Sequence, residues 1–375
     1  MTDAFGRPIT YLRLSVTDLC NLRCVYCMPP EGVRKREHTE ICSLEELAEL
    51  AGAFVELGVK KIRLTGGEPL VRKGVVSLVE KLNALRSLGL EELCLTTNGL
   101  LLPELAAPLR AAGLDRLNVS LDTLRPERYR ALTRGGELDR VLAGLEAAEA
   151  AGFRDVRLNA VLLKGVNDDE LRDLALLARD HPWSVRFIEL MPIGPGAALG
   201  FLPAEAVLEA VPELREMQNE ATPVGAAIGR PQFAEAFPPV ILSKAKNPFP
   251  AALQAASLPK AATGETDPST PLRSAQDDKH DNVARLYTAP GWAGTVGLIA
   301  PMSACFCASC TRVRLTADGK LKPCLHSADE YPLRGLHGDE LKASILSAIQ
   351  NKPAHHRLSD TRHSESARPM NEIGG

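Results

Sequence analysis

Cys20, Cys24 and Cys27 fall within the eight residues CNLRCVYC. Thiolates spaced CxxxCxxC can gather round one soft-metal centre on a single loop. A structural zinc site usually takes four protein ligands. No fourth is obvious nearby, because His38 is the closest histidine and lies well past the loop. Thiolates also hold iron–sulfur clusters, where three cysteines leave one iron without a protein ligand. Unrelated neighbouring thiols are the third reading. The spacing favours a cluster with one open corner.

A second group lies in CFCASCTRVRLTADGKLKPC, where Cys307 and Cys310 form a CxxC pair and Cys324 follows thirteen residues later. ADGK reads as a turn between two strands, so the pair and the lone cysteine can meet across a hairpin. Cys305 could complete a four-thiolate zinc site. Arg312 and Arg314 alternate along a strand, which puts two guanidiniums on one face. Such a fork suits phosphate or carboxylate, and a solvated strand face is the alternative. At Gly66–Pro69, GGEP lets the backbone approach a ligand closely. It is not a phosphate-binding P-loop, since no Gly-Lys-Ser/Thr follows.

These residues need elements to hold them. Strand-like segments at 10–17, 60–65, 91–97, 114–121, 155–162 and 184–190 alternate with helical ones at 43–58, 74–88, 103–112, 137–151 and 168–179. Ser43 and Glu46 spell a capping box for the first helix. Six strands with intervening helices predict a parallel sheet with right-handed crossovers. It forms either a partial barrel or a doubly wound open sheet. Function then lies at the C-terminal strand ends, where the first cysteines, GGEP, TTNG (96–99), Ser120, Asp122 and Met191 all fall.

The chain has 375 residues, 45% apolar and 24% charged, with net charge −3. That is an ordinary globular balance with no field drawing in nucleic acid or membrane. The N-terminus lacks the regions of an export signal, so a cytoplasmic location is expected. Nine cysteines, an odd and clustered set, argue against a disulfide framework. Cys42 and Cys94 stand alone and read as structural. The predicted organisation is a core over 1–225, a Pro/Ala/Ser-rich disordered insertion over 226–281, a C-terminal cysteine region over 282–350 and a tail over 351–375. Within the cysteine region, strands are expected around a Gly-rich turn at 283–300 and a helix at 338–350.

CNLRCVYC, with its aromatic–cysteine pair after the first strand, resembles the radical S-adenosylmethionine (SAM) superfamily. LRLSVTDLCNLRCVYCMP, RLTGGEPLVR, TTNG, NVSLDTL, RFIELMPIG, FCASCTRVRLTADGKLKPCL and the terminal Gly-Gly closely resemble the GTP 3′,8-cyclase family, which begins molybdenum cofactor biosynthesis. The likeness runs from about residue 8 to 230 and from 282 to the end. It implies an incomplete (βα)6 TIM-like barrel closed by a C-terminal iron–sulfur domain. It also implies a lyase reaction that turns GTP into 3′,8-cyclo-7,8-dihydro-GTP through a 5′-deoxyadenosyl radical.

Residue roles follow from the same resemblance. Cys20, Cys24 and Cys27 would hold the 4Fe–4S cluster that binds SAM, with Tyr26, Gly67, Ser120 and Met191 contacting SAM. Cys307, Cys310 and Cys324 would hold a second 4Fe–4S cluster facing the guanine. Arg13, Arg63, Thr96, Arg312 and Arg314 match GTP contacts, and Arg157 stands where the family has a lysine. Arg312, Arg314, Gly374 and Gly375 would serve catalysis, the two glycines as a tail reaching into the site. Implied partners are an electron donor such as a flavodoxin or ferredoxin and a downstream cyclic pyranopterin monophosphate synthase, with the chain itself a monomer or homodimer. About fifty residues, 232–280, are extra to the family pattern. A radical SAM peptide-modifying enzyme with an auxiliary cluster is the alternative enzyme, and a zinc-stabilised binding protein the alternative outside catalysis.

Overall fold

The computed structural model describes residues 1–33, 36–217, 283–356, 358 and 364–374. The insertion expected over 226–281 and the terminal Gly375 lie outside these described residues. Strands β1 (Tyr11–Ser15), β2 (Lys61–Thr65), β3 (Glu92–Thr97), β4 (Arg116–Ser120), β5 (Val156–Leu162) and β6 (Ser184–Glu189) pair in chain order, all parallel. A doubly wound sheet would reverse its strand order part-way. Unbroken order winds in one sense and puts the crossover helices on one face, as in a barrel.

Those helices are α1 (Leu44–Glu56), α2 (Val75–Asn83), α3 (Leu102–Ala111), α4 (Pro126–Thr133), α5 (Leu138–Ala150) and α6 (Leu171–Asp180). The capping box opens α1: Glu46 N–H donates to Ser43 Oγ at 3.1 Å and Ser43 N–H to Glu46 Oε2 at 2.6 Å. Sequence periodicity did not single out α4, a short helix with little apolar content.

The two faces of the sheet differ in chemistry. Leu14, Leu64, Leu95 and Leu117 lie in register across four strands, fully buried in the core that the helices cover. Each such leucine contributes roughly 2 kcal/mol of burial. On the alternate positions stand Arg13 and Arg63, then Thr96 and Asn118, then Ser120, Asn159 and Arg186. A parallel sheet buried on both faces is ordinarily apolar on both. Here the concave face is polar and lines a cavity.

The C-terminal residues extend the same sheet. After α7 (Ala206–Ala210), β7 (Arg215–Glu216) pairs with β8 (Arg285–Thr288), which turns back into β9 (Thr295–Ile299). That is the pair of strands expected around the Gly-rich turn. β10 (Arg312–Leu315) and β11 (Lys320–Lys322) form the ADGK hairpin, and β12 (Tyr331–Pro332) edges it. β9 adds parallel to β6, and β10 adds parallel to β1. Eight parallel strands therefore stand side by side, six from the βα series and two brought from the C-terminal region. α8 (Gly338–Gln350) follows the expected bounds, and α9 (Met370–Ile373) closes the described chain. Among the described residues no helix is long and apolar enough to cross a membrane.

Candidate active site

The first cysteine loop leaves β1 and is braced from two sides. Arg23 and Val25 donate their N–H groups to Thr133 O and Leu132 O, both at 2.9 Å, at the end of α4. Gly67 packs from the other side. Its N–H donates to Thr17 O at 2.8 Å, and a Cβ there would lie 2.4 Å from Leu19 O. Glycine at 67 is thus required by the approach of the loop itself. Leu22 N–H donates to Cys20 Sγ at 3.3 Å. Burial pushes the thiols up, Cys20 to about 11, Cys27 to about 12 and Cys24 well above the ordinary value. Without a cation these sulfurs stay protonated, and a metal would displace the protons.

Tyr26 points from this loop to β4 and donates to Asp122 Oδ2 at 2.7 Å, while Asp122 Oδ1 accepts from Val161 N–H at 2.8 Å. Burial raises Asp122 to about 6 against the pull of these bonds. Glu68 ties two strand ends together. It accepts from Thr97 Oγ1 at 2.8 Å, Asn98 N at 2.7 Å and Leu70 N at 2.9 Å.

Cys307 opens a single turn, with Cys310 N–H donating to Cys307 O at 3.1 Å. Arg7 Nη1 donates to Cys307 O at 2.9 Å, and Lys352 Nζ to Arg312 O at 2.8 Å and Pro323 O at 2.6 Å. Burial works to raise the Cys310 thiol, but Lys352 and Arg312 outweigh it and the net direction is down.

Both cysteine groups, Cys20, Cys24, Cys27 and Cys307, Cys310, Cys324, line one cavity of about 350 Å³. Tyr26, Gly67, Ser120 and Met191 line it on the side of the first group. Arg13, Arg63, Thr96, Arg312 and Arg314 line it as well, on the concave face of neighbouring strands. Arg63 Nε donates to Tyr11 Oη at 2.5 Å, and the Arg312 guanidinium lies 5.4 Å from the Phe306 ring centre. Burial first, then the charges of Arg13 and Arg312, pull Arg314 well below the usual guanidinium value. Guanidiniums gathered in a buried space call for an anion. Arg157 is different: it is 1% exposed, 3.4 Å from Asp155, and not among the cavity-lining residues.

The C-terminal tail reaches the same place. Arg314 Nη1 donates to Gly374 O, and Asn371 Nδ2 donates to Asp18 O at 3.2 Å. Gly374 has φ +81°, and a Cβ there would lie 2.3 Å from Thr65 Oγ1. Only glycine threads this gap.

Residues 14–178 match the family model of the radical SAM superfamily, and residues 264–358 that of the molybdenum cofactor synthesis C-terminal region. The chain is 43% identical over 381 residues to the GTP 3′,8-cyclase of Peptoclostridium acidaminophilum, an alignment covering 100% of this chain and 98% of that one. The chain belongs to the GTP 3′,8-cyclase family. The cyclases of Alkaliphilus oremlandii strain OhILAs and Moorella thermoacetica are 41% and 42% identical, each with full coverage of both chains. Radical SAM cyclases of this family use SAM and two 4Fe–4S clusters.

The cysteines here fit such groups. Cys20, Cys24 and Cys27 do not bring their three sulfurs within 4.8 Å of one another. That spread is wide for one ion and suits a polynuclear cluster. The cyclase match also decides against the peptide-modifying alternative. Several cavity-lining or bracing residues went unread in the sequence: Arg186, Asn118 and Asn159 on the strands, and Arg7, Lys352 and His356 beside the second group. The three on strands could have been found from their inward alternation. The other three carry no local motif.

Proposed function

We propose that this chain is a radical SAM lyase that converts GTP to (8S)-3′,8-cyclo-7,8-dihydroguanosine 5′-triphosphate, opening molybdenum cofactor biosynthesis. One observation carries the reading beyond family membership: two cysteine triads line one cavity that Arg13, Arg63, Arg312 and Arg314 also line. When bound, the first cluster and SAM supply a 5′-deoxyadenosyl radical for hydrogen abstraction at C3′ of the ribose, ahead of ring closure at C8.

The chain's own residues bind, orient and enclose. Cys20, Cys24 and Cys27 hold the first cluster, and Cys307, Cys310 and Cys324 the second. Tyr26, Gly67, Ser120 and Met191 contact SAM. The four arginines, with Thr96, take the triphosphate, replacing water with fixed positive charge. Fixing the anionic end and the base at opposite walls holds C3′ near the radical source. The Tyr26–Asp122 bond fixes the cavity wall against which SAM would bind. Gly374 brings the tail to Arg314, and the terminal Gly-Gly pair helps exclude water. Arg157 stands in register with Asn118 without lining the cavity, and contributes charge rather than a direct contact. An electron donor of the flavodoxin or ferredoxin class and a following cyclic pyranopterin monophosphate synthase complete the setting.

The test is anaerobic incubation of the reconstituted chain with GTP, SAM and a reductant. Equal amounts of 5′-deoxyadenosine and a cyclised nucleotide are expected. 5′-Deoxyadenosine with no nucleotide product would reject the substrate assignment.

A further inference from the structure

Cys305 stands outside both cluster triads. It is exposed and does not line the cavity, whereas Cys307 and His356 do. Its Sγ lies 3.8 Å from His356 Nε2, and the donor atoms of Cys305, Cys307 and His356 all lie within 4.8 Å of one another. Among the described residues no other group of His, Cys, Asp or Glu meets that criterion. Ligand atoms about 2.0–2.3 Å from a tetrahedral zinc lie roughly 3.5–3.8 Å apart. The three atoms are therefore close to that arrangement already. His356 Nδ1 is buried and makes no hydrogen bond, and Nε2 is the ring atom that meets Cys305 Sγ. Its ring meets His326 edge-on at 5.0 Å, which limits its rotation.

We propose that Cys305, Cys307 and His356 form a site for one zinc-class ion in the cluster-free chain. Two thiolates and an imidazole are soft and borderline donors that select such an ion over calcium or magnesium. Both cysteines bind as thiolates, any thiol proton still held passing to solvent, and His356 binds as the neutral ring. Water takes the fourth position on the exposed side. Cys307 cannot serve two centres, so the ion and the second cluster exclude each other. That exclusion rests on the reading of Cys307 as a cluster ligand, while the ion site itself does not.

The experiment uses the full-length chain, freed of clusters, with Cys20, Cys24 and Cys27 changed to serine. Titration with Co²⁺ alone under anaerobic conditions should show one ion per chain with thiolate charge-transfer absorption. Cys305→Ser and His356→Ala should each weaken binding at least tenfold, and Cys310→Ser should leave it unchanged. Circular dichroism checks that each variant is folded. If Cys310→Ser abolishes binding and Cys305→Ser does not, the ion sits in the CxxC triad and the proposal fails. No bound cobalt would also overturn it.

A second arm reconstitutes iron and sulfide after zinc loading. The loaded chain should take up no second cluster until a chelator is added, and Cys305→Ser should take it up regardless, with its full iron content. A chain holding both zinc and cluster would overturn the exclusion. A Cys307→Ser chain that still assembles the second cluster would instead overturn the ligand reading.

Discussion

Glu68 is a carboxylate 1% exposed, surrounded by three donors, and burial outweighs those bonds to raise it to about 7. A raised carboxyl favours the folded chain most below its unfolded value and loses that contribution as pH climbs through the folded value. The unfolding free energy of the cluster-free chain should therefore fall between pH 5 and pH 8. Glu68 accounts for about 2–3 kcal/mol of that fall. Glu68→Gln should flatten the slope by this amount in urea titrations. An equal slope in both proteins would mean that Glu68 is ionised throughout. Glu189 poses a different question. It is fully buried, and accepts from Ala204 N at 3.1 Å, Met302 N at 3.0 Å, Ser303 N at 2.9 Å and Ser303 Oγ. It anchors the segment that leads to Cys307. In Glu189→Gln the amide N–H₂ must face at least one of these donors, and a buried donor left unmatched costs about 1–3 kcal/mol. The melting temperature should drop. In a background lacking Cys20, Cys24 and Cys27, iron bound at the second triad should drop with it. Unchanged iron there would show that the anchor does not shape the triad.

Among elements, α9 is held less by its own four residues than by a charged clasp. Arg368 reaches Asp318 at 2.8 Å and Glu330 at 2.6 Å, and Arg36 reaches Glu372 at 2.8 Å and Asp18 at 3.3 Å. The Arg368 side chain is only 11% exposed, so its loss would leave carboxylates facing each other in a poorly hydrated place. Removing one partner of such a network costs on the order of 3 kcal/mol. Arg368→Ala should release the tail. Carboxypeptidase digestion should become faster and product formation slower, while iron per chain stays the same. Digestion at the parent rate would dismiss the clasp. This arrangement shows where the sequence stopped being legible. Strand alternation, the Ser43–Glu46 cap and the ADGK turn are local signals, and each appears in the fold where the residues indicated. The clasp joins residues more than 280 positions apart (Arg36 with Asp318), and no local pattern encodes that. The same limit hid the parallel joins of β9 and β10 to the two ends of the βα series. A hairpin can be read from its turn. A parallel neighbour reached through a hundred residues or more cannot.

At the scale of the molecule, one continuous sheet carries both cysteine groups, so whatever links its two parts must respect that sheet. The linking chain leaves β7 and returns at β8, and these strands pair antiparallel through Arg215 with Thr288 and Glu216 with Tyr287. Met217 N–H donates to Leu286 O at 2.8 Å, which clamps the exit to the re-entry. A segment whose ends are fixed together can be shortened without moving either end. Excising residues 232–280 would shorten the connection roughly fourfold, worth about 1 kcal/mol of loop-closure entropy in favour of folding. The excision also trims the start of the stretch matched to the molybdenum cofactor family, which begins at residue 264. The prediction is therefore exposed to a clear failure. The shortened chain should bind both clusters and form the cyclised nucleotide within about twofold of the parent rate. Its melting temperature should be equal or slightly higher. Full iron with no product would mean that residues 264–280 belong to the catalytic unit. Loss of iron at the second triad alone would mean that the β7–β8 clamp is too weak to keep β9 against β6.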